Sequence, residues 1–121
     1  MPAGFAIALL AAAFLLGSIP FGYLIYRLST GDDIRRAGSG NIGATNVLRT
    51  AGTTLGLLTL ALDVFKGWLA VELGLHWARS LPALVAAVLM LVVLGHLYSP
   101  WLRFKGGKGV ATALGAFLAL A

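Results

Sequence analysis

Residues 81–102, LPALVAAVLMLVVLGHLYSPWL, contain no Asp, Glu, Lys or Arg, and His96 is their one basic side chain. About 20 such residues in a helix cross the ~30 Å hydrocarbon core of a bilayer. Two further stretches share the pattern. Residues 5–26 carry no charge, and residues 53–75 are apolar apart from Asp63, Lys66 and Glu72. With 60% hydrophobic and 11% charged residues and a mean hydropathy of +0.94, the 121-residue chain has more apolar side chain than a soluble core of its size buries. Lipid offers the backbone no hydrogen-bond partners, which leaves helices or closed barrels as spanning forms. The expected fold is an all-α integral membrane protein, a polytopic helix bundle with three complete spans near 5–26, 53–75 and 81–102 and the start of a fourth at 110–121.

The rival reading of residues 5–26 is a cleaved signal peptide. A basic leader is missing, the apolar run is too long, and Gly17, Ser18 and Pro20 occupy its second half, so a span is the better fit. Residues 110–121 are apolar, carry no terminal charge and are too short to cross, so the sequence reads as C-terminally incomplete. Tyr23, Tyr26, Trp77, Tyr98 and Trp101 fall near span ends and read as interfacial anchors. Gly52 and Gly56 form a small-xxx-small pair suited to close helix packing.

Seven of the nine Lys and Arg residues fall in or beside two loops: Arg27, Arg35, Arg36 and Arg49 in residues 27–52, and Arg103, Lys105 and Lys108 in residues 103–109. The positive-inside rule puts both loops in the cytoplasm and the N-terminus outside. The net charge of +5 flanks apolar spans and forms no stripe along a soluble face, so lipid headgroups and phosphorylated substrates are expected as partners in place of nucleic acid. The chain has no cysteine, which removes disulfides, thiolate metal sites and cysteine nucleophiles, and no second ligand stands at a metal-binding spacing from His96. No metal or cofactor is expected.

Both basic loops are rich in glycine. Gly38, Gly40 and Gly43 satisfy G-x-G-x-x-G, with Asp63 further on, but a dinucleotide fingerprint needs a strand before it and another carrying the acid, and here both neighbours are apolar spans. In the second loop Gly107-Lys108 is followed by Gly109 where a Walker A loop has Ser or Thr, and Leu102 stands where its first glycine belongs. The remaining reading is a phosphate cradle made by two loops. Ser39, Asn41, Thr45, Asn46 and Arg49 bring hydroxyl, amide and guanidinium donors to a helix beginning near Ala44, and Lys108 brings a point charge among Gly106, Gly107 and Gly109.

The run 38–52, GSGNIGATNVLRTAG, with 63–67, DVFKG, Gly95-His96 and 104–112, FKGGKGVAT, closely resembles the bacterial membrane glycerol-3-phosphate acyltransferases that use acyl phosphate as donor. The resemblance covers nearly all of residues 15–115 and marks the chain as one transmembrane acyltransferase domain. It implies transfer of a fatty acyl group from acyl phosphate to the 1-hydroxyl of glycerol 3-phosphate in the cell membrane, giving lysophosphatidate and phosphate for phospholipid synthesis. It further implies that Ser39, Arg49 and Lys108 serve catalysis, while Gly38, Gly40, Asn41, Thr45, Asn46, His96, Lys105, Gly106, Gly107 and Gly109 bind substrate phosphates. Asp63 and Lys66 match a charge pair of structural character, three apart on a helix.

Two departures stand out. A third cytoplasmic motif with a His and an Asn, present in the family, lies beyond this chain, and Ile42 stands where the first motif often has Pro. A His-x4-Asp acyltransferase motif is absent, since neither His76 nor His96 has Asp at that offset. The alternative from another class is a non-enzymatic anion-binding or transporter fragment, for which broken helices and midplane polar groups are the expected marks.

Overall fold

Proline has no N–H to donate and disfavours helix at the residue before it, and the first apolar stretch breaks at Pro20. In the computed structural model, which describes residues 1–121, Ala3–Ser18 (α1) and Phe21–Thr30 (α2) are separate helices joined through Ile19 and Pro20. The expected single helix is therefore two, within one apolar segment from Ala3 to Thr30. Hydropathy does not register the break, because Ile19 and Pro20 interrupt the backbone pattern without interrupting the apolar run.

A break at this depth releases carbonyls that hydrocarbon cannot satisfy. Ser99 Oγ donates to Ser18 O at 2.6 Å, and Lys66 Nζ donates to Ile19 O at 2.8 Å. Ser18 Oγ donates to Leu15 O at 2.6 Å and accepts from Trp101 Nε1 at 3.1 Å. The break is thus held by side chains from two other spans.

After α2 the chain makes a 3-10 turn at Ile34–Arg36 and enters a short helix, α3, Ala44–Ala51. Gly52, at φ +99°, turns it into α4, Thr53–Ala78. The 26 residues of α4 measure about 39 Å at 1.5 Å each, enough to cross a bilayer. Pro82–Leu97 forms α5, a 3-10 turn covers Pro100–Leu102, and Val110–Leu120 forms α6. There is no strand. Three segments are long and apolar enough to cross a membrane, Ala3–Thr30, Thr53–Ala78 and Pro82–Leu102, so the protein is a multi-pass, all-helical membrane protein.

The side-chain arrangement suits lipid. Along α4 the buried positions are small or polar, among them Gly56, Thr59, Asp63, Lys66, Gly67 and Ala70, while Leu57, Phe65 and Trp68 face outward. Small residues let helix backbones approach where no water drives association. The α4–α6 crossing depends on this, because a Cβ at Gly67 would overlap Thr112 O and one at Gly115 would overlap Val64 O.

Two apolar clusters result. One joins α1, α4, α5 and α6 through residues such as Ala13, Val71, Val88 and Ala116; the other ties the first loop down through Tyr26, Ile34, Ile42, Val47 and Leu102. Tyr26, expected as an interfacial anchor, is buried in the second cluster, whereas Trp101 is largely exposed. Ile42 is 2% exposed and anchors the loop by packing. Of the Gly52–Gly56 pair only Gly56 packs closely, against Leu48 of α3, while Gly52 is the left-handed junction between α3 and α4.

Substituting Gly67→Leu should lower stability by about 1–3 kcal/mol or more through overpacking, whereas Leu57→Ala on the outer face should change it by less than about 0.5 kcal/mol. Reversible unfolding in mixed detergent micelles measures both.

Candidate active site

The first loop is organised by Asn46, in the first turn of α3. Its Oδ1 accepts the Ser39 N–H at 3.0 Å, and its Nδ2 donates to Ala37 O at 3.0 Å and Asn41 O at 2.9 Å. Asn41 Oδ1 accepts from Gly43 N–H at 2.8 Å, and Ser39 Oγ accepts from Asn41 N–H at 3.3 Å. Gly38 and Gly40 supply left-handed turns at φ +53° and +79°, and Gly40 N–H donates to Ala37 O at 2.9 Å. The hydroxyl hydrogen of Ser39 is left free for a ligand. Asn46, expected to contact phosphate, has spent its donors on the loop and braces it. Gly38 and Gly40 shape the turn and do not line the cavity described below.

The second loop differs from expectation in the same way. Arg103 and Phe104 both take left-handed backbone angles, φ 55° and 64°, and fold the chain back on α5. Gly106 N–H then donates to Leu97 O at 2.8 Å and Gly107 N–H to His96 O at 3.1 Å. These glycines terminate α5 by satisfying its last carbonyls, so their amides are not free for phosphate. Lys105 points elsewhere, and neither it nor these two glycines lines the cavity. Gly109, at φ +81°, begins α6, and Lys108 beside it is exposed.

Between the loops lies a cavity of about 390 Å³. It brings together Ser39, Asn41, Thr45, Asn46 and Arg49 from the first loop and α3, His96 from α5, and Lys108 and Gly109 from the second loop. The helix start near Ala44 agrees with the sequence reading, whereas its meeting with the start of α6 was missing from it. Gly43, Ala44 and Thr45 begin α3, Gly109, Val110 and Ala111 begin α6, and both helix starts line the same cavity with no side-chain cap. First-turn N–H groups lack intrahelical partners and form the positive end of the helix dipole. A glycine just before each helix was the available signal, since it brings no capping oxygen of its own. Leu60 and Leu114 add an apolar wall; Leu60 is three residues before Asp63 and so on its helix face.

Asp63 and Lys66 are 2% and 1% exposed and lie 3.3 Å apart as an ion pair. Asp63 also lines the cavity, and its Oδ1 has no hydrogen bond. Lys66 Nζ lies 2.8 Å from His96 Nδ1, which links the pair to the site.

A separate cleft of about 450 Å³, lined by residues including Tyr23, Arg27, Asp32, Asp33 and Arg36, is less suited to an anion because two carboxylates face it. There Arg35 bonds Asp33 at 2.7 Å and stacks over Tyr23 at 5.0 Å. The hydrogen bond from Arg35 holds the Asp33 carboxyl down to about 2.

Fold and site together define a helical membrane protein with a cavity between its two glycine-rich loops, lined by Arg49, Lys108 and two helix starts. Residues 7–121 match the family described as Glycerol-3-phosphate acyltransferase, and the chain belongs to that family. It is 52% identical over 113 residues to the glycerol-3-phosphate acyltransferase of Myxococcus xanthus, covering 93% of this chain and 59% of the relative. It is also 52% identical over 112 residues to glycerol-3-phosphate acyltransferase 2 of Moorella thermoacetica, covering 93% of this chain and 57% of that one. The crystal structure of PlsY (YgiH), an integral membrane glycerol 3-phosphate acyltransferase, in its glycerol 3-phosphate form superposes with a TM-score of 0.91 at 43% identity, over 96% of this chain and 57% of that chain. The chain thus spans somewhat over half the length of these relatives.

Replacing Asn46 by Ala should raise hydrogen exchange at Ser39 and the adjoining loop amides about tenfold or more, the equivalent of losing buried hydrogen bonds of about 1–3 kcal/mol. The Asp33 carboxyl should titrate near 2 by carbon NMR, and Arg35→Gln should return it toward about 3.9. Because its folded value is depressed, the contribution of this pair is present above the unfolded value and lost as pH falls through about 2.

Proposed function

We propose that this chain forms the donor- and acceptor-binding part of an acyltransferase that moves a fatty acyl group from acyl phosphate to the 1-hydroxyl of glycerol 3-phosphate, yielding lysophosphatidate and phosphate. The observation carrying this reading is the meeting of two uncapped helix starts with Arg49, Lys108 and the Ser39 hydroxyl around one cavity. That set suits two phosphorylated substrates, since backbone N–H groups and cations together stabilise phosphate oxygens. Support comes also from the family to which the chain belongs.

An acyl phosphate is an activated mixed anhydride, so the acceptor hydroxyl attacks its carbonyl directly. The new ester C–O bond forms, the C–O bond to phosphate breaks, and the hydroxyl proton passes to a phosphate oxygen of the substrates. The protein's part is to hold the reactants together and to neutralise the departing phosphate. Ser39 acts as a hydrogen-bond donor, because no His or carboxylate bonds to its hydroxyl as a base. Arg49 and Lys108 serve the charge, Thr45 and Asn41 add donors, and Leu60 and Leu114 accept the start of the acyl chain. The setting proposed is the bacterial inner membrane, with the N-terminus outside and both loops in the cytoplasm, as the loop charges favour.

A transporter reading has the broken first span in its favour. The carbonyls released there are already bonded to Ser99 and Lys66, however, and so are not offered to a passing ion.

The test is release of inorganic phosphate from palmitoyl phosphate, with and without glycerol 3-phosphate, using this chain and a chimera in which it replaces the matching part of the Myxococcus xanthus relative. Acceptor-dependent release is expected in the chimera, with Ser39→Ala and Lys108→Ala each reducing turnover about 10²–10³-fold. A folded chimera without acceptor-dependent release would overturn the proposal.

A further inference from the structure

His96 and Lys66 belong to different spans, yet their side chains meet at 2.8 Å, Nζ to Nδ1, and both are almost fully buried. The same Nζ lies 2.8 Å from Ile19 O and 3.3 Å from Asp63 Oδ1. A carbonyl oxygen and a carboxylate only accept. An ammonium has three hydrogens and no lone pair, so the 2.8 Å contact is a hydrogen bond only if His96 Nδ1 accepts. An imidazolium carries N–H on both nitrogens and has no lone pair to offer there, and the Nδ1–H tautomer has none at Nδ1. What remains is the neutral ring with its hydrogen on Nε2.

The other edge of that ring faces the second loop. A Cβ built on Gly107 would lie 2.5 Å from His96 Nε2, while Gly107 N–H is bonded to His96 O at 3.1 Å, so the loop is fastened to the residue whose ring it meets. Nε2 has no hydrogen-bond partner in the protein, and His96 lines the cavity beside Lys108.

We propose that Lys66 is a positioning residue: by donating to Nδ1 it holds His96 in the Nε2–H tautomer and so presents one neutral, directed N–H to a phosphate oxygen in the cavity. This deepens the phosphate-binding reading above and rests on it. Lys66 touches no ligand itself. Its charge is consumed by Asp63 and by the released carbonyl of the helix break, which ties the geometry of the first span to the protonation pattern of a cavity side chain on α5.

The test is nitrogen NMR of the full chain in lipid nanodiscs with ¹⁵N-histidine, using a His76→Gln variant to assign the His96 signals. The expected spectrum shows a protonated Nε2 and a bare Nδ1. Lys66→Met, which keeps the length and removes the donor, should shift His96 to a mixture of tautomers, and Lys66→Arg should restore the Nε2–H form. Inorganic phosphate should then shift the Nε2 resonance in the wild-type chain and lose that effect in Lys66→Met. A wild-type Nδ1–H ring or an imidazolium overturns the inference even if Lys66→Met fails to fold, and so does a Lys66→Met spectrum identical to wild type. The expected tautomer with an Nε2 that ignores phosphate overturns His96 as a phosphate donor. Phosphate release by the chimera reports separately on the acyltransferase reading.

Discussion

One buried ammonium joins three parts of this bundle. Lys66, on α4, reaches the carbonyl released at the break between α1 and α2, the carboxylate of Asp63 and the ring of His96 on α5. A charge in hydrocarbon is costly unless it is paired and hydrogen-bonded, so the position constrains everything around it. The break at Pro20 persists because Lys66 and Ser99 satisfy the carbonyls it exposes. In turn α4 and α5 are fixed in rotation, since turning either would separate the ammonium from its partners. The loops that follow α2 and α5 start from those fixed ends.

The two loops follow one physical rule. At a membrane interface a loop must satisfy its own backbone before it has donors to spare. In the first loop Asn46 and Asn41 do this work, and in the second the amides of Gly106 and Gly107 close the end of α5. The groups left without a partner are those no local bond needs: the Ser39 hydroxyl hydrogen, Arg49, Lys108, and the first amides of α3 and α6. A glycine-rich basic loop is therefore less a uniform cradle than a brace that holds a few donors in place. Arg35 shows the contrast, because its guanidinium is already paired with the Asp33 carboxylate.

Much of this chain is legible as sequence because the governing effects are additive and local. Residues 81–102 announce a span by summed hydropathy, whatever they pack against. The loop positions of Ser39, Arg49 and Lys108, the charge bias of the loops and the helical spacing of Asp63 and Lys66 need no knowledge of the rest of the fold. The division of the first apolar stretch at Pro20 is less visible, because proline breaks a helix without lowering hydropathy. Tyr26 and Gly52 differ from expectation for a related reason: nearness to a span end does not tell whether a ring faces lipid or the loop cluster, and a small-residue pair looks the same whether it packs or turns.

The sequence by itself determined the class of the protein, its helical segments and the residue types gathered in its two polar loops, since composition, periodicity and spacing act over a few neighbouring residues. The tertiary structure alone decided which of those residues remain free. Ser99 finds the carbonyl of Ser18, Lys66 finds His96, and the starts of α3 and α6 meet across one cavity. Each is a pairing between groups far apart in the chain, and a hydrogen bond or a shared cavity depends on where whole helices come to rest in space.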